Sequence, residues 1–219
     1  MTAPRLSPDE LGAQLKHPKG NQAHLIGDLM FASNAKMIFK TIDLMRINAQ
    51  DKILEIGFGN GKHVPYLLAQ ARDVTYHGIE ISEAMIEQAC ANNPELVESG
   101  IVNFVLNNKL VLAQLEEQFN SCFSINSIYF WEDPAQYFHQ IYRSLKPGGE
   151  LIITCIDKTF GQELPFTQHG FHFLNEVEVK QLMDQASFQQ IQMDKFIDHA
   201  VSKDGQQVDR PYWVARGIK

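Results

Sequence analysis

Short apolar runs and helical apolar stripes take turns through the middle of this chain. KILEI (52–56), TYHGIEI (75–81), VNFVL (102–106), SCFSINSI (121–128) and ELIITCI (150–156) are brief, rich in β-branched and aromatic residues and bounded by turn formers, so they predict strands. Between them Val64, Leu67, Leu68 and Ala71 recur at i, i+3, i+4 and i+7, as do Phe138, Ile141, Tyr142 and Leu145, which predicts helices. The second of these opens at Asp133-Pro134 and stops at KPGG. Such alternation predicts an α/β fold, a mostly parallel sheet covered by helices on both faces, with ligands at the carboxyl ends of the strands.

The flanks read differently. Residues 1–23 are polar and broken by Pro4, Pro8, Pro18 and Gly20, which predicts a loose N-terminal arm, while Ile38, Ile42 and Met45 share one face of a helix expected from Ser33 onward. Near the other end Asn175 and Glu178 have the spacing of a capping box, and FQQIQMDKFID and DRPYWVARGI predict two closing strands with a turn around Asp204-Gly205. The expected organisation is an arm over 1–23 and one domain over 24–219, its sheet seven-stranded with an antiparallel C-terminal hairpin at one edge.

A chain of 219 residues with 44% hydrophobic content can bury one sizeable core. Its net charge of −7 repels phosphate backbones on average, so a small molecule is expected as partner rather than nucleic acid. No apolar run approaches the ~20 residues that span a bilayer, and MTAPRLSPDE lacks the apolar centre of a signal peptide, so a cytoplasmic protein is expected. Cys90, Cys122 and Cys155 are few and sit in apolar surroundings, which suits reduced thiols.

The stretch with the most chemistry is KILEIGFGNGKHVPYLL (52–68). Gly57, Gly59 and Gly61 turn a buried strand directly into a helix, bringing backbone N–H groups to one point and letting a ligand approach closely. The dinucleotide spacing G-x-G-x-x-G would need a glycine at position 62, where Lys62 stands, so the spacing is G-x-G-x-G.

Preceded by Glu55, EIGFGNG resembles the first motif of class I S-adenosylmethionine-dependent methyltransferases, and the chain is similar to the small-molecule, ubiquinone/menaquinone-biosynthesis-like members of that family. Glu80, in GIEIS, stands where the family carries the acid that accepts both ribose hydroxyls; SEAMIEQA follows as the usual helix, with Met85 near the adenine. SINSIYFWEDP and IYRSLKPGGELII resemble the fourth strand and the helix, turn and fifth strand beyond it. The resemblance implies a Rossmann-like three-layer sandwich and S-adenosylmethionine as cofactor, held by Glu55, Gly57, Phe58, Gly59, Asn60, Gly61, Glu80, Ile81, Met85, Asn126 and Ser127. Where the family usually ends its third strand in Gly-Asp, this chain has Asn107-Asn108, and the Asn108 amide oxygen is the candidate acceptor for the adenine amino group.

The reaction implied is methyl transfer to a small molecule, and the absence of an Asn-Pro-Pro-Tyr-type segment at NSIYFW points to a carbon or oxygen acceptor rather than an amide or base nitrogen. Tyr129, His169 and His172 are candidate bases by location, and residues 157–174 a candidate substrate cover. No third ligand is spaced to complete a metal site with the two histidines, so no metal is expected. Two alternatives stay open on sequence grounds: a nicotinamide-dependent oxidoreductase, and a non-catalytic protein that binds S-adenosylmethionine.

Overall fold

A computed structural model describes residues 6–107, 111–201 and 207–219. Its strands are β1 (Lys52–Ile56), β2 (Thr75–Glu80), β3 (Val102–Leu106), β4 (Phe119–Ile125), β5 (Leu145–Ile156), β6 (Gln189–Val201) and β7 (Gln207–Ile218). They form one sheet in the order β3-β2-β1-β4-β5-β7-β6. The first five strands run parallel, and β7 pairs antiparallel with both β5 and β6. The seven-stranded, three-layer α/β sandwich and its antiparallel closing pair are therefore as the alternating pattern predicts. The turn expected at Asp204-Gly205 lies outside the described residues.

Strand alternation divides the core into two. Leu54, Leu151, Ile153, Cys155 and Trp213 point to one face, where they meet Phe138 and Ile141 of α6 (Pro134–Ser144) and Val179 and Met183 of α8 (Glu176–Gln185). Ile53, Ile152, Tyr212 and Val214 point to the other face. There they pack with Met37 and Ile42 of α2 (Ala23–Leu44), Val64 and Leu67 of α3 (Val64–Leu68), and Ala89 of α4 (Glu83–Asn92). Central strands covered on both sides read as continuous apolar runs, which is why ELIITCI carries so little polar alternation. α5 (Pro94–Glu98) and α7 (Lys158–Gln162) are single turns in the connections.

Four local expectations change. The stretch before residue 23 is not loose where described: Ser7 Oγ accepts from Glu10 N–H at 3.3 Å while Ser7 N–H donates to the Glu10 carboxylate at 2.8 Å, and this reciprocal cap opens α1 (Pro8–Lys16). Its prolines mark helix boundaries rather than disorder, Pro8 in the first turn and Pro18 just past the end. α2 starts ten residues before Ser33, because Ala23, Ile26 and Gly27 are buried, Gly27 against Met85 and Gln88 of α4, and extend the stripe. α3 stops at Leu68, leaving Ala71 half-buried outside it. KPGG, read as a helix stop, is drawn into β5, where Gly148 N–H and Gly149 C=O bond to Lys219. Cys122 and Cys155 are buried free thiols, and Cys90 is a half-buried one. No described helix is long and apolar enough to cross a membrane.

Candidate active site

The carboxyl ends of β1, β2 and β4 open into a cavity of about 160 Å3. β1 turns into the glycine loop at Gly57, whose φ of +78° is left-handed, and a Cβ there would stand 2.9 Å from Ser127 Cβ. Glycine is needed at that position on both counts. The next glycine faces space: a Cβ on Gly59 would meet nothing within 4 Å.

Two buried carboxylates form the floor, and each is held by a closed set of donors. Glu80 is 8% exposed; its Oε1 accepts from Ile81 N–H at 2.7 Å and Ser82 N–H at 3.1 Å, and its Oε2 from Gly59 N–H at 3.1 Å. Burial pushes this carboxyl above its ordinary value, and the three N–H groups pull in the opposite direction. Glu55 is 2% exposed and accepts from the Tyr76 hydroxyl and from His63 Nε2, the latter at 2.7 Å. Burial first, then the Glu55 charge, holds the Tyr76 phenol well above its usual range, so it remains a donor to Glu55. A polar brace closes one side: Asp28 on α2 receives Asn60 Nδ2 at 2.9 Å, Gln88 Nε2 at 2.9 Å and the Lys62 ammonium at 2.8 Å.

The opposite side comes from the β4 end. Asn126 adopts a left-handed φ of +52°, supported by its side-chain oxygen accepting from Ile156 N–H at 3.1 Å while its backbone N–H donates to Thr154 C=O at 2.9 Å. Ser127 and Ser124 hydroxyls bond each other, and Ser124 Oγ also donates to Ile56 C=O at 2.7 Å. Phe130, Trp131 and Tyr137 continue this wall, with Trp131 stacked on Tyr137 at 4.7 Å. Phe31, Asn34 and Ile38 of α2 face them, and Leu15, Lys16 and Pro18 complete the rim.

Of the residues singled out in sequence, Glu55, Gly57, Phe58, Gly59, Asn60, Glu80, Ile81, Met85, Asn126 and Ser127 all line this cavity. Gly61 lies just behind the lining, where its position packs against Ala89 of α4. Asn108 is outside the described residues. The three candidate bases are not brought to the cavity. Tyr129 is 5% exposed within an aromatic cluster with Phe130, Phe171 and Phe173, and burial holds its phenol well above its usual range. His169 is exposed, 3.8 Å from Asp9, and His172 is an exposed residue whose N–H donates to Tyr129 C=O at 2.9 Å. No described residue of 157–174 lines the cavity. That segment instead supports α1, with the Gly12 backbone resting on Phe166 C=O, and α1 supplies the rim. Sequence reading missed Lys16 and His63; the latter sat two residues past the last glycine of the quoted motif, and its pairing with Glu55 is the sole signal it carries.

A Rossmann-like sheet with a glycine-lined seat, an aimed carboxylate and aromatic walls defines a site for a nucleoside-type ligand. A family profile described as a methyltransferase domain matches residues 54–153. An uncharacterized methyltransferase of Bacillus subtilis, YdaC, is 34% identical over 134 residues, 59% of this chain and 70% of its own length. The O-methyltransferase rstn1 of Aspergillus nomiae is 30% identical over 148 residues, 64% of this chain and 65% of its own length. Among solved structures, the putative methyltransferase of Haloferax volcanii in complex with the Trm112 methyltransferase activator shares the fold, with a TM-score of 0.76 and 16% identity over 96% of this chain and 97% of that one. The chain belongs to the class I S-adenosylmethionine-dependent methyltransferases.

Its residues fit that cofactor. The space above Gly59 admits close backbone approach, and the buried Glu80 carboxylate is an acceptor suited to a vicinal diol. Ile81 and Met85 add apolar surface beside Glu80 on the same side of the cavity.

Proposed function

We propose that the enzyme methylates an oxygen or carbon atom of a small, largely apolar acceptor by in-line displacement. When bound, S-adenosylmethionine supplies an activated methyl group, so the protein's task is to align the acceptor and exclude water. In this reading Glu80 accepts from the ribose hydroxyls and Gly57, Phe58, Gly59, Asn60 and Gly61 shape the seat beneath the amino-acid part. Ile81 and Met85 flank the base with Asn108, and Asn126 and Ser127 bound the methyl-transfer end with Glu55. Residues 24–219 carry the methyltransferase domain, and α1 contributes to its site.

The observation that carries the acceptor assignment is the state of the cavity's acids. Glu55 is committed to Tyr76 and His63, and Glu80 to three backbone N–H groups. Neither is placed to take a proton from an alkyl alcohol, which does not ionise unaided. An acceptor whose nucleophile is already ionised near neutral pH, such as a phenol acidified by its ring substituents or the enol of a 1,3-dicarbonyl, releases its proton to water and needs no such base. The facing side chains Phe31, Ile38, Phe130 and Trp131 suit an unsaturated or aromatic ring. The O-methyltransferase relative named above agrees with this reading.

The test is turnover of methyl-labelled cofactor against panels of phenols, enols and amines. Label entering phenols or enols is expected. Label confined to amines would overturn the acceptor assignment.

A further inference from the structure

We propose that Lys16 is a ligand-binding residue whose ammonium pairs with a carboxylate of a molecule held in the cavity. Among the described residues lining the cavity, Lys16 is the one lysine or arginine, and its ammonium has no hydrogen bond or ion pair with any other described residue.

Every other charge at the site already has an answer. Glu55, Glu80 and Asp28 are each held by the donors described above, and Lys62 is paired with Asp28. The glycine-loop N–H groups that an anion would be expected to use are also taken. Gly57 N–H donates to Ile79 C=O at 2.8 Å, Gly59 N–H to Glu80 at 3.1 Å and Gly61 N–H to Phe58 C=O at 3.4 Å. An incoming carboxylate therefore finds one uncommitted cation, and it comes from α1. A helix C-terminus favours a basic residue in its last turn, but this one stands over a cavity rather than over solvent alone.

The lysine is presented by a segment fixed at both ends. The Gly12 backbone leaves no room before Phe166 C=O, where a Cβ would come within 2.4 Å, and Ser82 Oγ donates to Pro18 C=O at 2.5 Å. The lysine stem passes Gly170, with Cδ 4.0 Å from the place a Cβ would occupy there. The backbone beneath this exposed lysine is therefore already placed, which spares part of the ordering cost when its ammonium pairs.

Two molecules present that carboxylate: the amino-acid part of the cofactor, and an acidic acceptor. The inference rests on the cofactor assignment, and the probes keep the failures apart. S-Adenosylhomocysteine carries the carboxylate; 5′-methylthioadenosine has the adenosine and the sulfur without it; benzoate, titrated with S-adenosylhomocysteine saturating, reports on the acceptor side. Calorimetry compares the wild type with Lys16→Met, which keeps the stem, and Lys16→Arg, which keeps the charge.

For a cofactor carboxylate, Lys16→Met lowers S-adenosylhomocysteine affinity by about tenfold and leaves methylthioadenosine within about twofold, and Lys16→Arg restores most of the loss. For an acceptor carboxylate, S-adenosylhomocysteine is unchanged and benzoate binding drops by about tenfold in Lys16→Met. Equal loss for S-adenosylhomocysteine and methylthioadenosine would overturn the proposal, because α1 would then act only as a cover. So would unchanged S-adenosylhomocysteine affinity together with no Lys16-dependent benzoate binding. A wild type that binds neither nucleoside sinks the cofactor assignment, and the proposal with it.

Discussion

The two halves of the cavity are built by different means. On the cofactor side, the ends of β1 and β2 are sealed by polar bonds: Glu80 by three backbone N–H groups, Glu55 by the Tyr76 and His63 side chains, Asp28 by those of Asn60, Gln88 and Lys62. On the acceptor side the walls are aromatic faces and helix side chains from α1, α2 and the segment after β4, with few polar bonds among them. A sealed polar network tolerates almost no substitution, since each partner removed leaves a buried group unsatisfied. An aromatic wall of similar volume accepts exchanges at small cost. The chemistry common to a family sits naturally in the first kind of wall, and the choice of acceptor in the second.

The sharpest way to break that contrast is Gly57→Ala. A left-handed φ and a Cβ 2.9 Å from Ser127 strain the turn, at about 1–3 kcal/mol of stability, and distort the seat. Urea midpoints should fall and S-adenosylhomocysteine affinity should drop by well over about tenfold; unchanged values in both would show the turn to be adaptable.

Next comes Glu80→Ala, which removes the two proposed ribose bonds and also orphans three backbone donors. Cofactor affinity should fall more than about tenfold, with a stability loss of roughly 1–3 kcal/mol that sequence alone gave no reason to expect. Glu80→Gln keeps one acceptor oxygen and should lose less of each. The wild type adds a pH signature, because burial raises the Glu80 carboxyl above the ordinary glutamate value of 4.5. The folded state therefore holds a proton that the unfolded state releases, so Glu80's contribution to stability is present below 4.5 and lost as pH rises through the folded value. Binding that needs the ionised acid runs the other way, weakening as pH falls through the same window. A flat affinity profile that Glu80→Gln leaves unaltered would place the ribose elsewhere.

A smaller effect is expected from Gly12→Ala, where the added Cβ would come within 2.4 Å of Phe166 C=O and lift α1 from its support. Amide exchange should accelerate in residues 8–18 while the strands keep their protection, and cofactor affinity should fall only a few fold, by roughly 1 kcal/mol or less. Uniform protection in both proteins would mean that α1 is not held by that contact.

The least change should follow Tyr129→Phe combined with His169→Ala and His172→Ala. None of the three lines the cavity, so turnover should stay within about twofold. A collapse of turnover would return one of them to the chemistry.

What could be read from sequence follows the same division. The glycine loop and Glu80 are legible because each function is written in a few consecutive residues at a strand end. α1 is hidden because its buried contact is a single glycine and its apolar residues, Leu11 and Leu15, are only half-buried. Polarity alone resembled disorder, and the Ser7–Glu10 cap was the overlooked signal. Tyr129 was placed near the site by its position in the chain, yet in the short helical turn Ile128–Phe130 it faces the α8 side of the core while Phe130 faces the cavity. Which of three adjacent aromatics turns inward depends on packing partners at 171 and 173, more than forty positions away. Periodicity cannot report a contact of that range.

The sheet order carries a consequence for biosynthesis. β7 lies between β5 and β6, so a chain emerging from the ribosome presents β6 before the strand that must separate it from β5. During that interval the edge of β5 is bare, and the incoming β6 can only pair with it wrongly. The interval ends when WVARG slots in, with Val214 and Trp213 opposite Thr154 and Cys155. Slower translation across residues 189–206 would lengthen that exposure, and chaperone demand in the cell should rise with it.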